Sequence, residues 1–332
     1  MVSKICLLSF VFLIAVSAAV SAQEPIDMNV PPDQAESANP SIFRVIPSIN
    51  QLFGDTTYEI KALAEIPTDP GKLSEIRSEL EFPLTTTMVG LTLDWEAGRG
   101  LWGLQASAAV NLGDPADPMI DRDWMGGVPV SYTESDAEMS MVLAHIEARY
   151  GILGKPQTKL WLLARFEYQK ISQGITGFAG WQDLGMDGSR VEVSGTDPVI
   201  DYKITYLTPQ LGLGASFILG KTRPWNVNFA AGMVFSSDRD DHLLRGRISE
   251  GDGTGLSLNA NTDLRLLTTE ALGGSLFLDL MGWLRYYYAT GRQTQTWYAG
   301  EGNIPAGTVE SGIAYEVDSL QYSIGIRFGL EF

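Results

Sequence analysis

The closing stretch of the chain, Tyr322-Ser323-Ile324-Gly325-Ile326-Arg327-Phe328-Gly329-Leu330-Glu331-Phe332, sets large apolar residues at every second position against Ser, Gly, Arg and Glu. A period of two belongs to an extended strand with two unlike faces. The same alternation returns in Trp225-Asn226-Val227-Asn228-Phe229-Ala230-Ala231-Gly232-Met233-Val234-Phe235, and again in Leu276-Phe277-Leu278-Asp279-Leu280-Met281-Gly282-Trp283-Leu284-Arg285. Two architectures produce it: a soluble sandwich with its apolar face inward, or a membrane barrel with its apolar face outward. The segments are long, roughly ten to fifteen residues. Their polar faces mix small residues with charges able to pair in a lumen, and aromatics gather near their ends. These features favour a transmembrane barrel.

The expected fold is all-β, a ten-stranded antiparallel transmembrane β-barrel with long extracellular loops. Strands are expected near 56–66, 74–84, 86–96, 101–111, 138–150, 158–171, 200–219, 224–237, 256–291 (two strands with a turn near 272) and 316–332. Counted separately, 74–84 and 86–96 would give eleven. Pro83 points instead to a bend in one long strand, and a single-chain bacterial barrel is expected to have an even number. The terminal aromatic resembles the assembly signal of outer-membrane barrels. Short connections at 151–157 and 220–224 alternate with long ones at 113–137, 172–198, 238–255 and 293–311; in such barrels short turns face the periplasm and long loops the exterior.

The start of the chain reads as a secretory signal peptide over 1–22: a basic opening with Lys4, an apolar core from Ile5 to Val16, and a small-residue series ending at Ala22. Residues 23–55 read as a flexible lead-in, rich in Pro, Asp, Glu, Ser and Asn, ahead of a barrel over 56–332. Cys6 is the only cysteine and lies in the signal segment. The mature chain therefore lacks thiol chemistry, and with two histidines a zinc site is not expected. A formal charge of −17 argues against nucleic acid and favours cationic partners. A monomer is expected.

Two short stretches carry chemistry. Ser236-Ser237-Asp238-Arg239-Asp240-Asp241-His242 places one of the two histidines behind three aspartates. A neutral imidazole beside a carboxylate can take a proton from water near neutral pH, although such charge runs are usually solvated loops. Met119-Ile120-Asp121-Arg122-Asp123-Trp124-Met125 sets two carboxylates on one side of an extended segment, where they can share a proton, hold a water or simply form a polar loop. The other histidine, His145, shares a face with Met141, Leu143, Glu147 and Arg149, and is read as part of a lumen hydrogen-bond network.

Both stretches, in this order on a barrel, resemble the omptin family of outer-membrane proteases. Ile200-Asp201-Tyr202-Lys203 with Pro209-Gln210-Leu211-Gly212-Leu213 is similar to the family's mid-barrel strand, and the segment from Leu73 to Phe82 to its early one. The resemblance covers about 60–332. It implies an endopeptidase in the bacterial outer membrane whose site faces the exterior. His242 would be the general base and Asp240 its orienting partner, with Asp121 and Asp123 opposite, positioning the water. Asp238 would sit at the floor of the pocket for the residue before the cut, implying Arg or Lys there. The family's second pocket acid lies on the first strand, where Glu59 and Glu65 both qualify.

No cofactor is implied, with lipopolysaccharide a candidate activator. The family's outward lipid clamp maps onto Phe166, Tyr168, Lys170 and Lys203. Lysine and threonine (Thr205) stand there where the family carries arginines, and a tyrosine where it carries the acid; lysine meets a phosphate only as a point charge. Other readings remain open: a non-catalytic barrel serving as adhesin or structural protein, and a passive pore. Against the pore stand Arg149, Arg165, Glu167, Asp279, Arg285 and Arg327, which are expected to plug the lumen.

Overall fold

The computed structural model describes residues 41–66, 69–97, 101–155, 157–183, 188–220, 223–271, 273–302 and 304–332, leaving aside the side chains of 64–66, 69, 70 and 72. The signal segment and the lead-in up to residue 40 lie outside this description. Twelve strand segments follow one another: β1 (Ile42–Ile66), β2 (Asp69–Pro83), β3 (Thr86–Glu96), β4 (Trp102–Leu112), β5 (Met119–Met125), β6 (Val128–Lys155), β7 (Thr158–Gln182), β8 (Val191–Leu219), β9 (Arg223–His242), β10 (Arg247–Ala271), β11 (Gly274–Trp297) and β12 (Val309–Glu331). All pair antiparallel, and β1 with β12 closes the barrel.

The ring passes through ten strands at either end. In the half near the short turns its order includes β1-β3-β4-β6; in the half near the loops the same gap is filled by β1-β2-β5-β6. β2 and β3 are therefore one bent strand, broken just after Pro83 as its missing N–H requires. β4 and β5 form a second such pair, interrupted at residues 113–118, which the sequence pattern does not reveal. β1 changes partner from β3 to β2 between Leu52 and Asp55. Gly54 makes this possible: its φ is +123°, and a Cβ there would stand 2.0 Å from the carbonyl oxygen of Leu320.

Two boundaries differ from the sequence expectation. β1 starts at Ile42, not near Thr56, so residues 42–55 are strand and not lead-in. Pro47, which suggested a flexible segment, sits where the β1–β12 register skips from Val45 to Ser48, so no ladder bond is lost. The expected long loops are mostly strand as well. β8 alone has 29 residues, about 90 Å along the strand at roughly 3.3 Å per residue, where a membrane band needs only about 25 Å of height.

The reason is an inversion of polarity along the barrel. Toward the short turns, Leu211, Leu213, Met233, Leu256, Ile324 and Phe328 point outward and are exposed, while Gln210, Asn259, Arg285 and Gln321 are buried in the lumen. Toward the loops, Tyr58, Phe82, Met119, Ile200, Tyr202, Ile204 and Tyr315 form a buried apolar core. There the outer wall carries Glu79, Glu81 and Arg122, with Arg122 bonded to both glutamates at 2.9 and 2.8 Å. A search for apolar-out strands stops where this inversion begins. In the membrane half the lumen is filled by ion pairs: Arg165 with Glu147, Arg285 with Glu167 at 3.0 Å, and Arg265 and Arg327 with Asp279, both at 3.0 Å. The barrel is plugged. His145 joins this interior through Nε2 and Gln105 Oε1, 3.1 Å apart.

Candidate active site

Asp238, Asp240 and His242 are the final inward positions of β9, not members of an exposed loop. Each is buried, because β9 is clamped between β8 and β10 to its last residue: Ile200 and Arg247 both lie in register with His242. The chain then makes a 3-10 turn over Leu243–Arg245, closed by Gly246 in the left-handed region, and re-enters the wall as β10. Alternation separates the run into two sets. Arg239 and Asp241 face outward and pair with each other at 3.7 Å; the other three look into the lumen.

Asp121 and Asp123 stand on β5, also in strand, with Leu80 and Ser78 of β2 beside them on one side and Thr133 and Ser131 of β6 on the other. Three strands separate β5 from β9 one way around the ring and five the other, so the two acidic walls face each other across the mouth. Asp121 lies within the electrostatic reach of Asp240, Arg245 and Arg247. The structure thus brings all four expected catalytic residues to one cleft.

Burial dominates the protonation of this cluster. It raises Asp121 to about 7, with Asp123 adding to the rise. It raises Asp240 to about 6 against the pull of Arg247 and Arg245. The imidazole of His242 moves the other way, down to about 3, first by burial and then by Arg245 and Arg247. His242 is therefore neutral across the physiological range, the form from which a general base must start. Asp121 Oδ1, Asp240 Oδ1 and His242 Nδ1 are buried without a hydrogen-bond partner, and no bond joins Asp240 to His242. Catalytic hydrogen bonds often tighten only once substrate is bound.

Below the cluster, Asp238 lies buried among the rings of Tyr58, Tyr202 and Tyr315. The Tyr58 ring centre lies 6.0 Å from that of Tyr202 and 5.7 Å from that of Tyr315, and Tyr58 Oη donates to Gln293 Oε1. A Cβ on Gly251 would meet Tyr315 at 2.8 Å and Asp238 Oδ1 at 3.1 Å, so the glycine is what lets acid and ring sit together. Burial lifts Asp238 to about 7, with Tyr315 opposing the shift. No hydrogen bond of ordinary geometry reaches either of its carboxylate oxygens.

Glu59 takes no part in the surroundings of Asp238. It lies on the outer face of β1, paired with Lys61 and, at 3.8 Å, with Arg77. Tyr58 is the β1 side chain that turns inward, and the phase of the alternation decides which neighbour does so. The side chain of Glu65 lies outside the described residues. Phe166, Tyr168 and Lys170 share the outer face of β7 as expected; Lys170 and Lys203 line one surface hollow with Thr205, Arg239, Glu250 and Arg292, whereas exposed Phe166 stands lower, among the outward apolar residues. The residues that sequence reasoning missed are the tyrosines, Gln293, Gly251, Arg245 at the end of the turn and Arg247 at the start of β10. Arg245 and Arg247 lie three and five residues after His242, and that closeness was the available signal.

Comparison with known proteins agrees with this geometry. The omptin family model matches residues 69–330. The outer membrane protease OmpT from Escherichia coli superposes with a TM-score of 0.69 at 15% identity, covering 90% of this chain and 99% of that one. The outer membrane protein OprG from Pseudomonas aeruginosa is a more distant match, with a TM-score of 0.37 at 13% identity, covering 89% of this chain and 98% of that one. No curated protein matches the chain. With the family model spanning most of the barrel and both acidic pairs at its mouth, the chain belongs to the omptin family of outer-membrane proteases.

Proposed function

We propose that this omptin is an endopeptidase that cuts after Arg or Lys, using water activated by His242. The observation that carries the reading is the meeting of β5 and β9 at one cleft, where buried polar atoms of Asp121, Asp240 and His242 lack protein partners. Water held between the two walls would lose a proton to His242 as it attacks the scissile carbonyl. Asp240, two positions away on the same face, would stabilise the imidazolium that forms. Asp121 and Asp123 would hold the water from the opposite side. The proton then passes from His242 to the leaving amine, with no acyl-enzyme. Asp238, with its unpaired oxygens and aromatic walls, would accept the basic side chain before the cut, the rings adding cation–π attraction.

The loop end of the barrel, and the cleft with it, would face the exterior, following the usual placement of short turns on the periplasmic side. Lys170 and Lys203, just beyond the apolar band, would meet lipid phosphates as point charges, so lipopolysaccharide is a proposed activator and no other cofactor is invoked.

The test is cleavage of a quenched fluorescent peptide with a central Arg-Arg, by refolded wild type and His242→Ala, with and without lipopolysaccharide. Activity that drops by at least about a thousandfold in the variant supports the mechanism. Undiminished cleavage by His242→Ala refutes it. A folded wild type inert toward all basic peptides points to an adhesin or structural barrel.

A further inference from the structure

Arg247 is the first residue of β10 and shares its inward phase with buried Ser249. It lies in register with His242 on one side and with buried Trp297 on the other. Its Nε is buried without a hydrogen-bond partner, and among the described residues no ion pair satisfies its guanidinium. Arg245 differs: it is tied to Glu301 at 3.7 Å. A half-buried cation whose Nε is buried without a partner, beside a hydrolytic cluster, is costly to the empty protein and needs a role. The groups facing it are Asp240 and His242 of β9, Arg245 and Glu301 of the loops, Tyr58 of β1, and Asp121 of β5 with Asp123 beside it.

We infer that Arg247 is the electrophile of the proposed hydrolysis, its guanidinium N–H groups donating to the oxygen of the scissile carbonyl as that oxygen becomes negative. This rests on the protease reading above. Water oxygen bonds to the carbonyl carbon, its proton goes to His242, and the C=O π pair moves onto oxygen. That oxyanion forms in a cleft where Asp121, Asp123 and Asp240 would repel it and where the other cation, Arg245, is tied to Glu301. A single positive donor on the neighbouring strand removes the conflict. When the intermediate collapses, the C=O bond re-forms, C–N breaks, and the amine leaves with the proton from His242. Asp240 and Asp121, which orient imidazole and water, cannot serve this oxygen.

The experiment compares wild type with Arg247→Gln and Arg247→Lys on the Arg-Arg peptide, each variant checked for a folded barrel by its heat-modifiable gel mobility. It also measures inhibition by a peptide phosphinate, whose tetrahedral anion replaces the scissile bond. The expected result for Arg247→Gln is a kcat about 100- to 1,000-fold lower, KM within about threefold, and a matching rise in the phosphinate Ki. Arg247→Lys should recover part of each. Removing the cation should also move the acidic limb of kcat/KM to higher pH, since Arg247 favours the deprotonated forms of His242, Asp240 and Asp121, whereas Arg247→Lys, which keeps the charge, should leave that limb nearly in place. Unchanged kcat in Arg247→Gln, a loss confined to KM, or an unaltered phosphinate Ki would overturn the assignment while leaving the protease standing. A wild type without activity would remove both. Should Arg247→Gln not fold, the same criteria apply to Arg247→Lys.

Discussion

Replacing Asp238 by Asn isolates the charge of the proposed pocket without changing its shape. Asp238 is 4% exposed, and no ordinary hydrogen bond compensates its carboxylate, so an incoming guanidinium would be its main partner. Unit charges about 4 Å apart interact by about 4 kcal/mol at an effective dielectric near 20. Desolvation of the guanidinium takes back part of this. About 2–4 kcal/mol remains, or roughly 30- to 1,000-fold in kcat/KM. The assay is a cycle with two peptides, one carrying arginine before the cut and one carrying its neutral isostere citrulline. The loss in Asp238→Asn should appear with arginine and nearly vanish with citrulline. The arginine/citrulline preference of wild type should also depend on pH. Asp238 titrates near 7 in the empty site, and only its ionised form attracts a cation, so the preference should fall about tenfold per unit below pH 7. Titration of Asp121 and Asp240 affects both peptides and cancels in the ratio. Equal losses for the two peptides, or a preference independent of pH, would refute the pocket assignment.

Stability should carry the same signature with the opposite sense. An acid whose pKa is raised on folding binds its proton more tightly folded than unfolded, so its contribution to stability is lost as pH rises from about 4 to about 7. Asp238→Asn should therefore gain on wild type by up to about 1.4 kcal/mol per pH unit in that window, read from urea unfolding at pH 5 and pH 7; a constant difference would count against the raised pKa. In the lumen, Glu167 accepts from Arg285 Nε at 3.0 Å and from Tyr287 Oη at 2.5 Å. Glu167→Ala should cost about 3–5 kcal/mol by leaving a buried cation unpaired, and Glu167→Leu combined with Arg285→Met should recover most of it; a double variant worse than the single would show that the pair matters for more than mutual neutralisation.

The barrel and its cleft differ in how far the sequence discloses them. Apolar-out alternation marks the membrane half from Trp225 to Phe235 and from Tyr322 to Phe332, because lipid imposes one polarity on every strand there. Beyond the band, water outside and a packed core inside reverse that polarity, and the strands holding Asp121 and His242 look like polar loops. The Asp/His motif could still be found, since spacing on one strand survives the change of solvent. The aromatic surroundings of Asp238 could not. Tyr58, Tyr202, Tyr315 and Gln293 come from four strands distant in sequence, and only the closed register brings them around Asp238. Of the two glutamates read as candidates for the second pocket acid, Glu59 turns outward beside Lys61 and Arg77: the inward phase of β1, which Tyr58 takes, is set by Gly54 and by pairing with β12, neither visible in the local pattern.

The unbroken walls also fix a working height. Phe235 is the last large exposed apolar side chain on β9, and His242 lies seven positions farther along the same strand. At about 3.3 Å per residue and a tilt near 40°, the cleft stands roughly 15–20 Å beyond the lipid edge. No hinge or long linker lets it dip. A peptide lying flat in the headgroups is out of reach, and a target anchored in the same membrane needs a stalk long enough to lift its basic site to that level.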